Sequence, residues 1–85
     1  MTHWHCVYFV QVDDRIKIGW SHWPEHRAKL LGGTLLAFIP SDDPINQLKA
    51  ERMEQKRWAH LCIEGEWFRP DPELLERIRL IRESQ

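Results

Sequence analysis

The sequence predicts an α+β fold: a small three-stranded antiparallel sheet flanked by helices. Three observations carry that expectation. Two β-rich stretches lie on either side of an Asp13-Asp14 pair, as the arms of a hairpin do. Three later stretches, 24–31, 45–62 and 72–83, have helical patterns. A further apolar stretch, 34–40, separates the first two helices, so strands and helices mix without strict βαβ alternation. The expected order is ββαβα, then a short extended segment and a C-terminal helix.

Residues 4–12 ("WHCVYFVQV") are rich in β-formers, and 15–20 ("RIKIGW") alternate apolar with polar or small residues. A two-residue loop at Asp13-Asp14 sets Val12 opposite Arg15, Val10 opposite Lys17 and Tyr8 opposite Gly19. Side chains on one face recur every second residue. Tyr8, Val10, Lys17 and Gly19 therefore share one face, and Phe9, Ile16, Ile18 and Trp20 the other. Glycine weakens a strand; at position 19 it leaves room beside the Tyr8 ring.

Pro24 suits the first turn of a helix, where its missing N–H is not needed. That helix, "PEHRAKLL", stops at Gly32-Gly33. "TLLAFIP" (34–40) reads as a buried third strand. "SDDP" (41–44) is a turn in which Asp42 or Asp43 caps the next helix. Over 45–62 the apolar positions include Leu48, Met53, Trp58 and Leu61. "EGEWF" is a turn leading into a short extended piece. Asp71, between Pro70 and Pro72, caps a last helix with Leu74, Leu75, Ile78 and Ile81 as its apolar stripe.

With 85 residues the chain is expected to be a single domain, 1–85, of modest stability. Twelve basic residues against thirteen acidic ones give a net charge of −1, which argues against a broadly basic nucleic-acid binder but leaves room for a local basic cleft. Five tryptophans exceed what one small core needs. No apolar run is long enough to span a bilayer, and "MTHWHC" lacks the features of a signal peptide. Cys6 and Cys62 match no metal or redox spacing, which points to reduced thiols and a cytoplasmic location. Cys6 reads as a small apolar strand residue.

The ordered motifs resemble the GIY-YIG nuclease superfamily, in particular its compact phage and bacterial branch with a lysine in the second signature and a terminal G-E-W-F. "CVY" (6–8) stands where the first signature ends in tyrosine, and "KIG" (17–19) stands for the second. Arg27 follows Gly19 by eight residues, at the spacing of the family's helix arginine. Glu51 precedes the glycine of "GEWF" (65–68) by 14 residues, with Trp58 on the branch's aromatic position. The resemblance spans roughly residues 6–80. It departs from the pattern at three positions. Lys17 replaces a tyrosine of the wider superfamily; Leu31 and Gln55 stand where relatives carry a histidine or tyrosine and a histidine. An asparagine that many relatives carry near the end has no clear counterpart.

The resemblance implies a divalent-metal-dependent endonuclease that hydrolyses phosphodiester bonds in DNA with low sequence specificity. Its catalytic residues would be Tyr8, Lys17, Arg27 and Glu51. Glu51 would be the metal ligand, for Mg²⁺ or Mn²⁺, which prefer carboxylate and keep several waters. Arg27 would grip the phosphate and stabilise charge growing there. Tyr8 would take a proton from the attacking water or orient it. An ordinary phenol has a pKa near 10, so a base here needs a nearby positive charge such as Lys17; Lys17 serves equally as a phosphate ligand. Arg15, Lys17, Trp23, Arg27 and Lys29 are the expected nucleic-acid contacts, with Trp23 stacking on a nucleotide or packing internally. Exposed tryptophans would support a homodimer.

Other assignments stay open at this level. Glu54, one turn from Glu51, competes as the metal ligand. Glu66 reads as a turn residue or a site residue, and Trp67 and Phe68 as core. His3 with His5, or His22 with His26, have chelating spacing without a third ligand. A module of the same fold that binds nucleic acid or protein without cutting is the alternative function. An interaction domain unrelated to nucleic acid follows if Tyr8, Lys17, Arg27 and Glu51 lie scattered.

Overall fold

The computed structural model of the chain describes residues 5–85. Strand β1 (His5–Val12) turns at Asp13-Asp14 into β2 (Arg15–Ser21). Asp13 adopts a left-handed φ of 54°, which a short side chain that bonds locally tolerates. The register has the expected pairs: Tyr8 faces Gly19, Val10 faces Lys17 and Val12 faces Arg15. Helix α1 (Pro24–Leu31) ends at Gly32, whose φ of 72° closes the C-terminus as the Gly33 N–H donates to the Ala28 carbonyl.

Strand β3 (Thr34–Ser41) pairs antiparallel with β1. It lies at the sheet edge, and of its residues only Ala37 is buried, so the expectation of a buried strand is corrected. A bulge leaves Leu36 without a partner on β1, and Leu36 and Ala37 turn to the same apolar cluster. Helix α2 (Pro44–Arg57) is capped by Asp43, whose Oδ1 accepts the Ile45 N–H. It stops at Arg57, short of the expected 62. Trp58, which follows the helix, and Leu61, in the short 3₁₀ turn Ala59–Leu61, are buried, whereas Leu48 (42%) and Met53 (61%) are exposed. Helix α3 (Pro72–Glu83) is capped by Asp71 and buries Leu74, Ile78 and Ile81; Leu75 lies outside the stripe, partly exposed.

The sheet has five strands rather than three, in the order β3-β1-β2-β5-β4. The added pair comes from residues 62–68, expected to hold the end of the long helix, a turn and the start of a short extended piece. There β4 (Cys62–Glu64) and β5 (Trp67–Phe68) form a hairpin about Gly65, φ 56°. β5 docks on the outer edge of β2, pairing Phe68 with Ile16 and Trp67 with Lys17. An otherwise unpaired row of backbone donors and acceptors on β2 is thereby satisfied.

The two sheet faces are covered unequally. On one, Val7, Phe9, Ile16, Ile18 and Phe68 pack with Trp58, Leu61 and the α3 stripe. On the other, Tyr8 and Val10 meet Ala28 of α1, with Leu31, Leu35 and Phe38 around them. Coverage of both faces explains why Cys6 to Val10 are all buried despite the antiparallel pairing. Trp20, expected beside Ile16 and Ile18, is instead exposed and packs its ring against His5 and His22. Among the described residues no helix is long and apolar enough to cross a membrane.

Candidate active site

The site starts from the Tyr8–Gly19 pair. A Cβ added at Gly19 would lie 2.8 Å from the Tyr8 hydroxyl oxygen and 2.9 Å from the ring carbon bearing it. The phenol therefore lies directly over the glycine, and any side chain at 19 would force the ring away. Glu66 Oε1 is 3.3 Å from the same point, so its carboxylate borders the phenol end of the ring. The Glu66 backbone is held as well, its carbonyl accepting the Ile18 N–H at 3.0 Å. Lys17, one pair along from Gly19, extends toward Glu66 with Nζ 3.9 Å from Oε1.

Helix α2 supplies the buried carboxylates. Gln47, Glu51 and Glu54 face inward, Glu51 only 6% and Glu54 only 3% exposed. The two acids differ in what surrounds them. Arg77 Nη2 donates to Glu54 Oε2 at 2.6 Å, and Arg77 Nε and the Trp58 indole N–H donate to Oε1. Glu54 is thus a structural anchor between α2 and α3. Glu51 makes no hydrogen bond or ion pair with a described residue, so its carboxylate is the one left to bind something else. Gln55, one turn after Glu51, donates from Nε2 to the Ile18 carbonyl at 2.9 Å. That carbonyl lies just past the end of β5, so the amide continues the ladder where the strand stops.

Electrostatics tie these groups together. Burial pushes the Tyr8 phenol above its ordinary pKa; Arg27 pulls it down, and Glu66 and Glu51 push it further up. Burial, and then the Glu66 charge, raise the Glu51 carboxyl above its ordinary value, while Arg52 opposes them. Arg27, Glu51 and Glu66 therefore all act on Tyr8, and Glu66 on Glu51, although the four come from β1, α1, α2 and the β4–β5 turn. Two details correct the sequence reading. The phenol is pushed up rather than down, and the cation that favours phenolate is Arg27, since Lys17 is turned to Glu66.

Of the remaining expected contacts, Arg15 and Lys17 line the same sheet face as Tyr8. The Arg15 guanidinium lies 4.6 Å, and Lys17 Nζ 5.7 Å, from the centre of the Trp67 ring. Trp67 is consequently half-buried on the tyrosine face and not core, whereas Phe68 is core as expected. Lys29 projects about 200° round α1 from Arg27, and no contact joins it to the cluster. Trp23 is exposed at the start of α1, its ring against that of His26. His3 lies outside the described residues. His5 lies against His22, ring centres 4.9 Å apart. Burial and the Glu25 charge push the Cys6 thiol up to about 11, as expected of an inert strand cysteine.

Glu66, which the sequence leaves open between a turn and a site role, and Trp67, which it assigns to the core, both border the site. The "GEWF" motif carried the signal, but a turn glutamate and a strand tryptophan have commoner structural uses. For a metal, the donor set is hard: one buried carboxylate with a second, exposed one bordering the same space, which suits Mg²⁺ or Mn²⁺ with retained waters. Among the described residues no group of three or more His, Cys, Asp or Glu side chains converges to hold an ion. A cation would therefore complete its shell with water and substrate oxygens. Compared with protein-family models, curated proteins and solved structures, the chain matches none.

Proposed function

We propose that this chain is a cytoplasmic, GIY-YIG-type endonuclease that hydrolyses DNA phosphodiester bonds with low sequence specificity and depends on Mg²⁺ or Mn²⁺. One observation carries the reading. A buried, unpartnered Glu51, the Tyr8 phenol and the Arg27 guanidinium share one electrostatic neighbourhood, although 43 residues separate the first and last in sequence. An isolated buried carboxylate is unfavourable without a partner, and such arrangements concentrate at functional sites.

Each group then has a task. Arg27, exposed on α1, binds a phosphate oxygen and opposes the negative charge that grows there during attack. Glu51, with Glu66 nearby, holds the cation, which when bound supplies Lewis-acid stabilisation at the phosphate and orders water. Tyr8 accepts the proton from the attacking water. Its phenol is held neutral in part by the two carboxylates, so neutralising them lowers the cost of phenolate. Lys17 keeps Glu66 turned toward the site. Dimerisation through exposed Trp20 and Trp23 would add phosphate contacts to a chain of net charge −1.

The test is cutting of single- and double-stranded DNA with Mg²⁺, Mn²⁺ or EDTA, beside Glu51→Ala and Arg27→Ala. Metal-dependent cleavage that falls about 10²–10³-fold or more in each variant supports the enzyme. Binding without cutting, indifferent to Glu51→Ala, supports a non-catalytic nucleic-acid module. The raised Tyr8 phenol is the observation that favours that second reading.

A further inference from the structure

Helix α2 sorts its charges by sign. It carries two acids, Glu51 and Glu54, and four cations, Lys49, Arg52, Lys56 and Arg57. Both acids are buried and all four cations are exposed. None of the four forms an ion pair with a described residue, whereas Arg77 and Arg79 of α3 are bound to Glu54, Glu76 and Glu83. A net charge of −1 for the chain conceals this face.

We infer that the outward face of α2 is a docking track for the phosphate backbone of a nucleic acid. Lys49, Arg52 and Lys56 lie within about 60° of arc and rise about 10 Å along the helix. Over that length one strand of a duplex carries about three phosphates. The track runs past the candidate site, because its middle residue, Arg52, adjoins Glu51 in sequence and its charge acts on that carboxyl. Arrangement of the apolar residues separates this occupant from an anionic membrane. A helix lying on a membrane puts apolar residues at the centre of its buried face, with cations to the sides. Here the cations are central, and exposed Leu48 and Met53 stand on opposite flanks about 140° apart; only Ile45, in the first turn, lies in line with the cations.

The track deepens the nuclease reading and rests on nucleic acid as the ligand, but its test does not require cutting. Binding of a fluorescein-labelled 20-mer, single- or double-stranded, is measured by anisotropy in EDTA from 50 to 300 mM KCl. The full chain is compared with Lys49→Gln/Arg52→Gln/Lys56→Gln and with Arg82→Gln, a control that removes one exposed charge from α3. The triple variant should weaken binding at least tenfold at low salt and reduce the slope of log K against log salt by about 2–3, since each lost contact removes about 0.7–0.9. Arg82→Gln should leave the slope unchanged. An unchanged slope in the triple variant, equal losses in the control, no DNA binding by the wild type, or stronger binding to phosphatidylserine vesicles than to DNA overturns the track. A reduced slope in a protein that fails to cut with Mn²⁺ leaves the track standing and removes the nuclease.

Discussion

Helices α2 and α3 are similar in length and opposite in construction. α3 buries Leu74, Ile78 and Ile81 and turns its charges outward, where Arg79 lies between Glu76 and Glu83. α2 buries Gln47, Glu51 and Glu54 and leaves Ile45, Leu48 and Met53 in solvent. Hydrocarbon burial holds the first helix, a contribution of roughly 1.5–3 kcal/mol per large side chain. The second is held by directed polar bonds, Gln55 to Ile18 and Glu54 to Arg77 and Trp58, and by the apolar anchors Trp58 and Leu61 just beyond its end. A helix that inverts the usual partition is shaped by what it presents inward. Here that is the unpartnered Glu51, whose charge acts on the Tyr8 phenol.

The contrast can be broken most severely in α3. Leu74→Ala removes a fully buried side chain and should cost about 3 kcal/mol, lowering Tm by more than about 10 °C in thermal unfolding. Arg77→Ala attacks the polar anchor of α2 by leaving Glu54 buried and unpaired. Because Arg77 is itself a third exposed, a loss of about 2–3 kcal/mol is expected from denaturant melts, short of the full value for a buried pair. If Arg77→Ala left stability unchanged, the claim that directed charges hold α2 would fail.

Glu51→Gln should move stability the other way. Its carboxyl ionises less readily in the folded chain than in the unfolded one, so the folded state loses stability as pH rises above the ordinary value of 4.5. The variant should melt a few degrees higher at pH 8, by about 2–4 °C, and this gain should shrink toward pH 4. Parallel Tm curves across that range would show that burial does not oppose ionisation. The smallest effect belongs to the inverted face. Leu48→Ser and Met53→Ser should each stay within about 0.5 kcal/mol of wild type, unlike inward apolar positions.

Much of the fold was legible because local rules dominate it. The Asp13-Asp14 loop set the hairpin register, and Asp43, Asp71 and Gly32 mark helix ends where capping chemistry requires them. What escaped reading is non-local. Two-residue β5 has too little sequence to announce a strand; it exists because β2 has an open edge to receive it. Leu48 and Met53 look inward by composition, yet the face that α2 buries carries Gln47, Glu51 and Glu54 instead. Within the site, Tyr8 over Gly19 followed from the register. The separate fates of Glu51 and Glu54 did not, because the partner that decides them, Arg77, lies 23 residues further on.

The Gln55 amide also sets a length. It is joined to the backbone of β2 one helical turn beyond Glu51, so the carboxylate's position relative to the sheet is referred to a main-chain atom and not to mobile side chains. Inserting or deleting a single residue between 51 and 55 would swing Glu51 about 100° around the axis while the amide stayed in place. Of all the intervals in this chain, those few residues should be the least tolerant of a change in spacing.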